Sequence, residues 1–378
     1  MTGQERAPRT VLHVINNLPV GGAERFLVLL AAAQRDLGWN PAVCTLALPN
    51  PLAAELVARG ISHLELGRAR LNDPRLVLDL WRVFRARRPD VVHTHLFYAD
   101  TCGRLAARAA GVRVVVSTEH STEGAPLSQR RQLAMRLSHA FAHRIVAVSN
   151  PVRAVAARRL GLAESQLDVI PNGIEIEPFE RALPLGPELL GASPGQVLVG
   201  AVGRLDDAKG YDILIEALAR LGDPRLRLVV AGDGPRRAAL VELAASRGLG
   251  DAVQWLGWRD DVPRLLASVD IVALPSRYEG HSMALLEAMA AGRACIVSDI
   301  PELAGTTGAA ALQVPRGDTA ALAAALRRLA DDVGLRERLG AQARTAVGSF
   351  SIATSARRYL ALYETLLARR GGAASERR

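Results

Sequence analysis

Three short stretches concentrate the side chains that could handle an anion or a sugar-like hydroxyl. The first, VGRLDDAKGYD (202–212), holds Lys209, the only lysine among 47 lysine and arginine residues, five positions after Arg204. An arginine fork beside a slim, flexible ammonium suits a pair of phosphates. The alternative is that Asp206 and Asp207 neutralise both cations as surface pairs. Such pairs are worth below ~1 kcal/mol, too little to preserve a lysine against an arginine-biased background. The second, EGHSMALLEAMAAG (279–292), places Glu279 in a loop, Ser282 as an N-cap and Glu287 on the second turn of a helix that stops at Gly292. Backbone N–H groups of Gly280, His281, Ser282 and Met283 at that helix start would face an anion. Glu279 can accept hydrogen bonds from hydroxyls, or be an ordinary solvated glutamate with a helical charge partner. The third, NNLPVGGAERF (16–26), puts Gly21 and Gly22 where a strand turns into a helix. Glycines there permit close backbone approach to a ligand, or simply a tight turn.

Other chemistry is less supported. His93 and His95 alternate in a strand and so point the same way, but a zinc site needs a further ligand. Cys44, Cys102 and Cys295 lie in apolar or alanine-rich runs without metal-ligand spacing, and read as buried reduced thiols.

These stretches must be positioned by a framework, and the chain supplies a regular one. Apolar runs rich in β-branched residues alternate with amphipathic helical stretches: TVLHVIN (10–16), AVCTLAL (42–48), SHLEL (62–66), DVVHTH (90–95), RVVVST (113–118), RIVAVS (144–149) and DVIPN (168–172). Helices are predicted between them over Ala23–Asp36, Pro74–Arg87 and Tyr98–Ala110. Continuous apolar strands separated by helices imply a parallel sheet covered on both faces. A Pro- and Gly-rich connector follows at 177–196. The alternation then restarts with VLVGAVG (197–203), LRLVVAG (226–232), AVQWLG (252–257), DIVALPS (270–276) and ACIVSD (294–299). The expectation is an α/β chain of two Rossmann-like domains, 1–182 and 183–350, followed by a helix at 351–370 and a disordered tail at 371–378. Ligands of such sheets bind beyond the carboxyl ends of the strands, where all three stretches fall.

Composition bounds the class. With 378 residues, 49% hydrophobic and 22% charged, the chain is an ordinary globular protein large enough for two cores. The net charge of +9 favours association with anionic surfaces. No run of 18 apolar residues occurs and the N-terminus is polar, so a cytoplasmic protein is expected. SQRRQLAMRLSHAFAHR (128–144) reads as a helix with Leu133, Leu137, Ala140 and Phe141 inward. Arg130, Arg131, Arg136, His139 and His143 point outward, as a solvated face or a dock for anionic lipid.

Taken together, GGAER (21–25), VGRLDDAKG (202–210), GDGP (232–235) and the Glu279-x7-Glu287 spacing resemble the retaining nucleotide-sugar glycosyltransferases of family 4, which have the GT-B fold. PNGIE (171–175), WLGWRDDVPRLLASVDIVALPS (255–276) and SDIPEL (298–303) resemble its text as well, so the likeness runs from about Val11 to Ala368. It implies that Gly21 and Gly22 approach the donor diphosphate, and that Arg204 and Lys209 bind it and stabilise the leaving group. It further implies that Glu287 holds the ribose and that Glu279, with the amides of Gly280, His281, Ser282 and Met283, holds the donor sugar. His120 aligns with a histidine near the sugar and acceptor, and Trp258 and Arg259 lie near the nucleobase. The expected partners are a nucleoside-diphosphate-sugar and a hydroxyl acceptor, glycan or lipid-linked, with peripheral attachment to an anionic inner membrane face. No metal, cofactor or nucleic acid is expected. Two departures fall beside the donor sugar: His281-Ser282 where the family commonly has Phe-Gly, and Ala294 where it has proline. The alternatives are a non-catalytic scaffold binding nucleoside diphosphates, or another GT-B enzyme such as a nucleotide-sugar epimerase or a phosphorylase.

Overall fold

A computed structural model describes residues 8–122 and 128–375, the last five as backbone only. The chain forms two compact units, Met1–Gly173 with Ile352–Arg378, and Ile174–Ser351. The division falls inside PNGIE, before position 182, because the connector is tied to the second unit. Leu185 N–H donates to Ser268 Oγ at 2.7 Å, Arg227 Nε donates to the Leu190 carbonyl at 2.8 Å, and Leu190 is buried.

The first unit holds seven strands: β1 (Thr10–Ile15), β2 (Asn40–Thr45), β3 (Ser62–Glu65), β4 (Val91–His95), β5 (Val114–Glu119), β6 (Arg144–Ala147) and β7 (Leu167–Val169). They pair in parallel in the order β3-β2-β1-β4-β5-β6-β7. The second unit holds β8 (Val197–Val202), β9 (Leu226–Ala231), β10 (Val253–Gly257), β11 (Ile271–Leu274), β12 (Ala294–Ser298) and β13 (Ala311–Val314), also parallel, in the order β10-β9-β8-β11-β12-β13. β13 is a strand that the sequence pattern does not announce. In each sheet the order reverses once, between β1 and β4 and between β8 and β11. A parallel sheet opens its ligand crevice at such a point.

The strands are apolar on both faces because helices cover both. On one face of the first sheet Leu12, Val14, Val92 and Val115 pack on Leu76, Leu80, Phe84 and Ala106. The helices Gly22–Asp36 and Ile352–Ser375 pack on each other, and Tyr359 and Tyr363 of the latter hydrogen-bond Thr118 and His93 of the sheet. This C-terminal helix therefore belongs to the first unit. It runs to Ser375, into the stretch expected as a tail; 376–378 lie outside the described residues.

The basic helix differs from expectation. It spans Gln129–Ser138 and then tightens into the 3₁₀ turn His139–Phe141. Met135 and Ser138 are its buried residues, Met135 packing on Ile145, Ala156 and Leu160. Leu133 and Leu137 are 56% and 65% exposed, not inward, Ala140 is exposed and Phe141 is half-buried. Ser138 next to the turn fixes which face is inward, and the leucines fall off it.

The second face of the first sheet is unusual for a core. His13, His93 and His95 are fully buried there. Burial pushes the imidazole of His13 down to about 4 and those of His93 and His95 well below the ordinary 6.5. Burial likewise pushes half-buried His120 down to about 4. Such a histidine binds its proton in the unfolded chain near pH 6.5 but in the folded chain only near pH 4. Stability is therefore full above pH 6.5 and falls as the pH drops toward 4, by about 1.4 kcal/mol per histidine per pH unit. Asp100, pushed up to about 6 chiefly by its own burial, works in the opposite direction below pH 6. The net expectation is a lower urea midpoint at pH 5 than at pH 7; equal midpoints would show that these imidazoles are not held neutral.

Candidate active site

In the second unit the loops after β8 and β11, which flank the reversal of strand order, meet. The chain leaves β8 through Gly203, makes a 3₁₀ turn at Asp207–Lys209 and enters the helix Tyr211–Leu221 through Gly210. Gly210 has φ +65°, and a side chain there would collide with the Pro275 carbonyl of the other loop. Only glycine lets the two loops approach this closely. The consequence is a contact between residues 70 apart: Lys209 Nζ lies 2.7 Å from Glu279 Oε1 and 2.9 Å from Oε2. Ser276 Oγ donates to the same Oε1 at 2.8 Å. Glu279 is buried, and Lys209 and Ser276 are among the groups that compensate its charge.

Lys209 thus pairs with neither neighbouring aspartate. Asp207 pairs with Arg236 at 3.2 Å, and Asp206 lies 3.7 Å from the exposed Arg204 guanidinium. Arg204 and Lys209 share a loop, but the bonded pair is Lys209 with Glu279. Tyr211 was not signalled by the sequence reading. It is buried, its hydroxyl has no hydrogen-bond partner among the described residues, and burial, with Glu279 and Asp206 nearby, raises its phenol above the usual range. Together with Val202, Lys209, Ala273, Leu274 and Ser276 it lines a small pocket. The residue directly after Lys-Gly at the start of a helix was the available signal.

The second loop continues into the helix Met283–Ala290, whose N-cap Ser282 accepts from the Leu285 N–H at 3.4 Å. Gly280, His281, Ser282 and Met283 are all buried at this helix start. Burial pushes the His281 imidazole down to about 4, and its ring lies 5.2 Å from that of Phe350. Glu287 is half-buried on the second turn. Beside them, Gly232 (φ +147°) abuts the Gly203 carbonyl and Gly234 abuts the Leu205 backbone, so the GDGP turn is pressed against the Lys209 loop. Trp258 is exposed and Arg259 forks onto Asp261 at 2.6 and 2.7 Å.

In the first unit, Gly21 caps and Gly22 begins the helix Gly22–Asp36, with Glu24 in its first turn. Gly21 is extended at φ −152°, a conformation open to any residue, and the space a side chain would take is occupied by the Glu24 carboxylate. His120 follows β5, and its ring meets that of Phe26 from this helix at 6.3 Å, edge-on. The glycine loop and His120 are therefore brought to the same end of the first sheet.

Behind His120 runs a ladder that the sequence reading saw only in part. His13 supplies a third imidazole beside His93 and His95, and ligand nitrogens of the three lie within 4.8 Å of one another. All six nitrogens already have partners. His13 reaches Gln34 at 2.8 Å and His95 at 3.1 Å, and His95 reaches His120 at 3.0 Å. His93 reaches Thr118 at 2.7 Å and Tyr363 at 2.6 Å. A cation in this cluster would have to displace bonds that satisfy it, so the cluster is read as a hydrogen-bond network. A histidine at the centre of an apolar strand run was the signal for His13.

Comparison with known proteins shows the family and the fold. Residues 196–332 match the family model described as "Glycosyl transferases group 1", and residues 20–178 the one described as "Glycosyltransferase Family 4". The chain is 29% identical over 246 residues to a UDP-Gal:alpha-D-GlcNAc-diphosphoundecaprenol alpha-1,3-galactosyltransferase of Escherichia coli, covering 61% of this chain and 63% of that one, just under two thirds of its length. It is 30% identical over 360 residues to the lipopolysaccharide core biosynthesis glycosyltransferase LpsD of Rhizobium meliloti (strain 1021), covering 93% and 97%. The crystal structure of Anabaena Alr3699/HepE in complex with UDP and glucose superposes with a TM-score of 0.83 at 21% identity, covering 94% of this chain and 100% of that one, which establishes the common fold.

The Lys209–Glu279 pair has a thermodynamic signature. Lys209→Ala leaves a buried carboxylate without its cation and should destabilise the protein, whereas adding Glu279→Gln should recover part of the loss. A double-mutant cycle by urea denaturation is expected to give a coupling of ~0.5–3 kcal/mol; additive effects would mean that the pair does not hold the loops.

Proposed function

The chain belongs to glycosyltransferase family 4, with the GT-B architecture of two Rossmann-like units, and from that premise we propose that it moves a sugar from a nucleoside diphosphate to a hydroxyl acceptor with retention of anomeric configuration. The observation that carries this reading is the Lys209–Glu279 contact at the strand-order reversal, a half-buried cation on a buried, sugar-competent carboxylate. In the transfer, the bond from the anomeric carbon to the phosphate oxygen breaks. The acceptor oxygen bonds to the same face, and its proton leaves with the diphosphate. Negative charge grows on the departing phosphates, so fixed cations are the main catalytic device. Two N–H groups of Lys209 point at Glu279, and an ammonium has a third to give to a phosphate oxygen. Arg204, exposed, adds a fork. Glu279 and the amides of Gly280, His281, Ser282 and Met283 hold the donor sugar, and Glu287 the ribose. By the family resemblance Gly21 and Gly22 are assigned to the diphosphate and His120 to the sugar or acceptor. No metal ion is needed in this scheme.

The E. coli relative is named for a UDP-sugar donor and a diphosphoundecaprenol-linked acceptor. A UDP-sugar and a lipid-linked glycan are accordingly the first pair to assay, within cell-surface polysaccharide or glycolipid synthesis. A membrane-borne acceptor also suits the helix Gln129–Ser138, where exposed Leu133 and Leu137 stand among arginines. Among the described residues no helix is long and apolar enough to cross a membrane. A peripheral dock at the inner membrane face therefore matches the net positive charge.

Incubation with a panel of UDP-, GDP-, ADP- and dTDP-sugars, with the product's anomeric configuration read by NMR, tests the reaction. Lys209→Ala, checked for folding by circular dichroism, should lower turnover by ~10²–10³-fold; wild-type turnover would remove Lys209 from the mechanism, and an inverted product would remove retention. For the dock, Leu133→Gln/Leu137→Gln should lose co-sedimentation with phosphatidylglycerol vesicles at low salt, and unchanged binding would sink the membrane assignment.

A further inference from the structure

Gln34 is a fully buried glutamine in the run LVLLAAAQRD of the helix Gly22–Asp36. A buried amide is costly unless its groups are engaged, and here they start the histidine ladder. Gln34 Oε1 faces His13 Nε2 at 2.8 Å, His13 Nδ1 faces His95 Nε2 at 3.1 Å, and His95 Nδ1 faces His120 Nε2 at 3.0 Å. The ladder ends at His120 Nδ1, buried and without a hydrogen-bond partner among the described residues.

A neutral imidazole carries one N–H, so each ring must donate at one nitrogen and accept at the other. The polarity of the whole ladder is then set at one end. Gln34 Oε1 can only accept, which puts the proton of His13 on Nε2 and leaves its Nδ1 to accept from His95. The same logic puts the protons of His95 and His120 on Nε2, and His120 Nδ1 is left as a bare lone pair. Turning the amide would reverse every step and make His120 Nδ1 a donor.

A second branch runs from the other end of the amide and is consistent with the same orientation. Gln34 Nε2 faces the Tyr363 hydroxyl at 3.4 Å, which frees that hydroxyl to donate to His93 Nδ1 at 2.6 Å. His93 Nε2 then donates to Thr118 Oγ1 at 2.7 Å, and Thr118 to the Tyr359 hydroxyl at 3.1 Å. Both branches agree on one orientation of Gln34, and reversing it would require both to reverse.

We propose that Gln34 is a positioning residue that acts through His13 and His95 to present His120 Nδ1 as a bare hydrogen-bond acceptor for a hydroxyl of the reacting sugar or acceptor. The part concerning the hydroxyl rests on the transferase reading above; the tautomer does not. Burial, which holds these rings neutral, makes His120 an acceptor rather than a store of protons.

Long-range ¹H–¹⁵N NMR on histidine-labelled full-length protein reads the tautomer directly, with His120→Gln identifying the His120 signals. The wild type should show His120 protonated on Nε2 and bare on Nδ1. Gln34→Met, which keeps the volume but removes the acceptor, should give a mixed or reversed His120 tautomer. It should lower transfer by ~10–100-fold, the scale seen when partners that orient a histidine are removed. Its dissociation constant for UDP should stay unchanged. Gln34→Glu, which still accepts, should keep the wild-type tautomer and retain most of the transfer. A wild-type His120 protonated on Nδ1, or a Gln34→Met variant with an unaltered tautomer, overturns the proposal. If Gln34→Met fails to fold, the wild-type tautomer and Gln34→Glu still decide it. Wild-type protein that binds no nucleoside diphosphate defeats the transferase reading alone.

Discussion

A carboxylate inside a protein must be compensated or neutralised, and much of the second unit follows from how Glu279 is compensated. Its charge is met by Lys209 and Ser276, and that demand pulls two loops from adjacent strands into contact. The contact needs Gly210 in the left-handed region against the Pro275 carbonyl. It also needs Gly232 and Gly234 to bring the GDGP turn against the Lys209 loop. Parallel strands provide the geometry, because β8 and β11 are neighbours in the sheet although far apart in the chain. The pair is thus a property of the sheet order, not of local sequence.

The first unit solves a related problem differently. Its sheet buries imidazoles, and burial itself keeps them neutral while the nitrogens of His13, His93 and His95 all find partners. The helices Gly22–Asp36 and Ile352–Ser375 supply Gln34, Tyr359 and Tyr363 for this purpose. The C-terminal helix therefore does more than cover apolar surface: it closes a polar network with one consistent hydrogen-bond direction. Such networks specify structure when every member is satisfied. Here the single open end is His120, at the same end of the sheet as the glycine loop.

Much of this was legible in the sequence. Most strands were readable because their apolar β-branched runs are short and bounded by turn residues, and the loops because glycines and caps mark them. β13 escaped because ALQV (311–314) is short and carries a glutamine that the structure leaves exposed. Leu133 and Leu137 misled because hydrophobic character alone does not say which stripe of a short helix is inward; the turn after Ser138 decides that. The partnership of Lys209 with Glu279 was hidden by the 70 residues between them, although each was identified by its own loop. His13 and Gln34 were hidden because each looked like an isolated polar residue in an apolar run, and only the pairing of β1 with β4 aligns His13 with His93.

The identity of the one lysine now has a physical account. An arginine at 209 would carry a planar guanidinium into a space bounded by Tyr211, Ser276 and the backbone of Gly203. A guanidinium forked onto Glu279 would commit its paired donors to that one carboxylate. An ammonium is compact, and its three donors can divide between Glu279 and a second anion without turning the side chain. Arg204 stands on the exposed side of the same loop, where a fork has room. The two cations differ because their surroundings differ: one is half-buried against a carboxylate, the other is open to solvent. An arginine-biased chain that keeps a lysine at the half-buried position is what this division of labour requires.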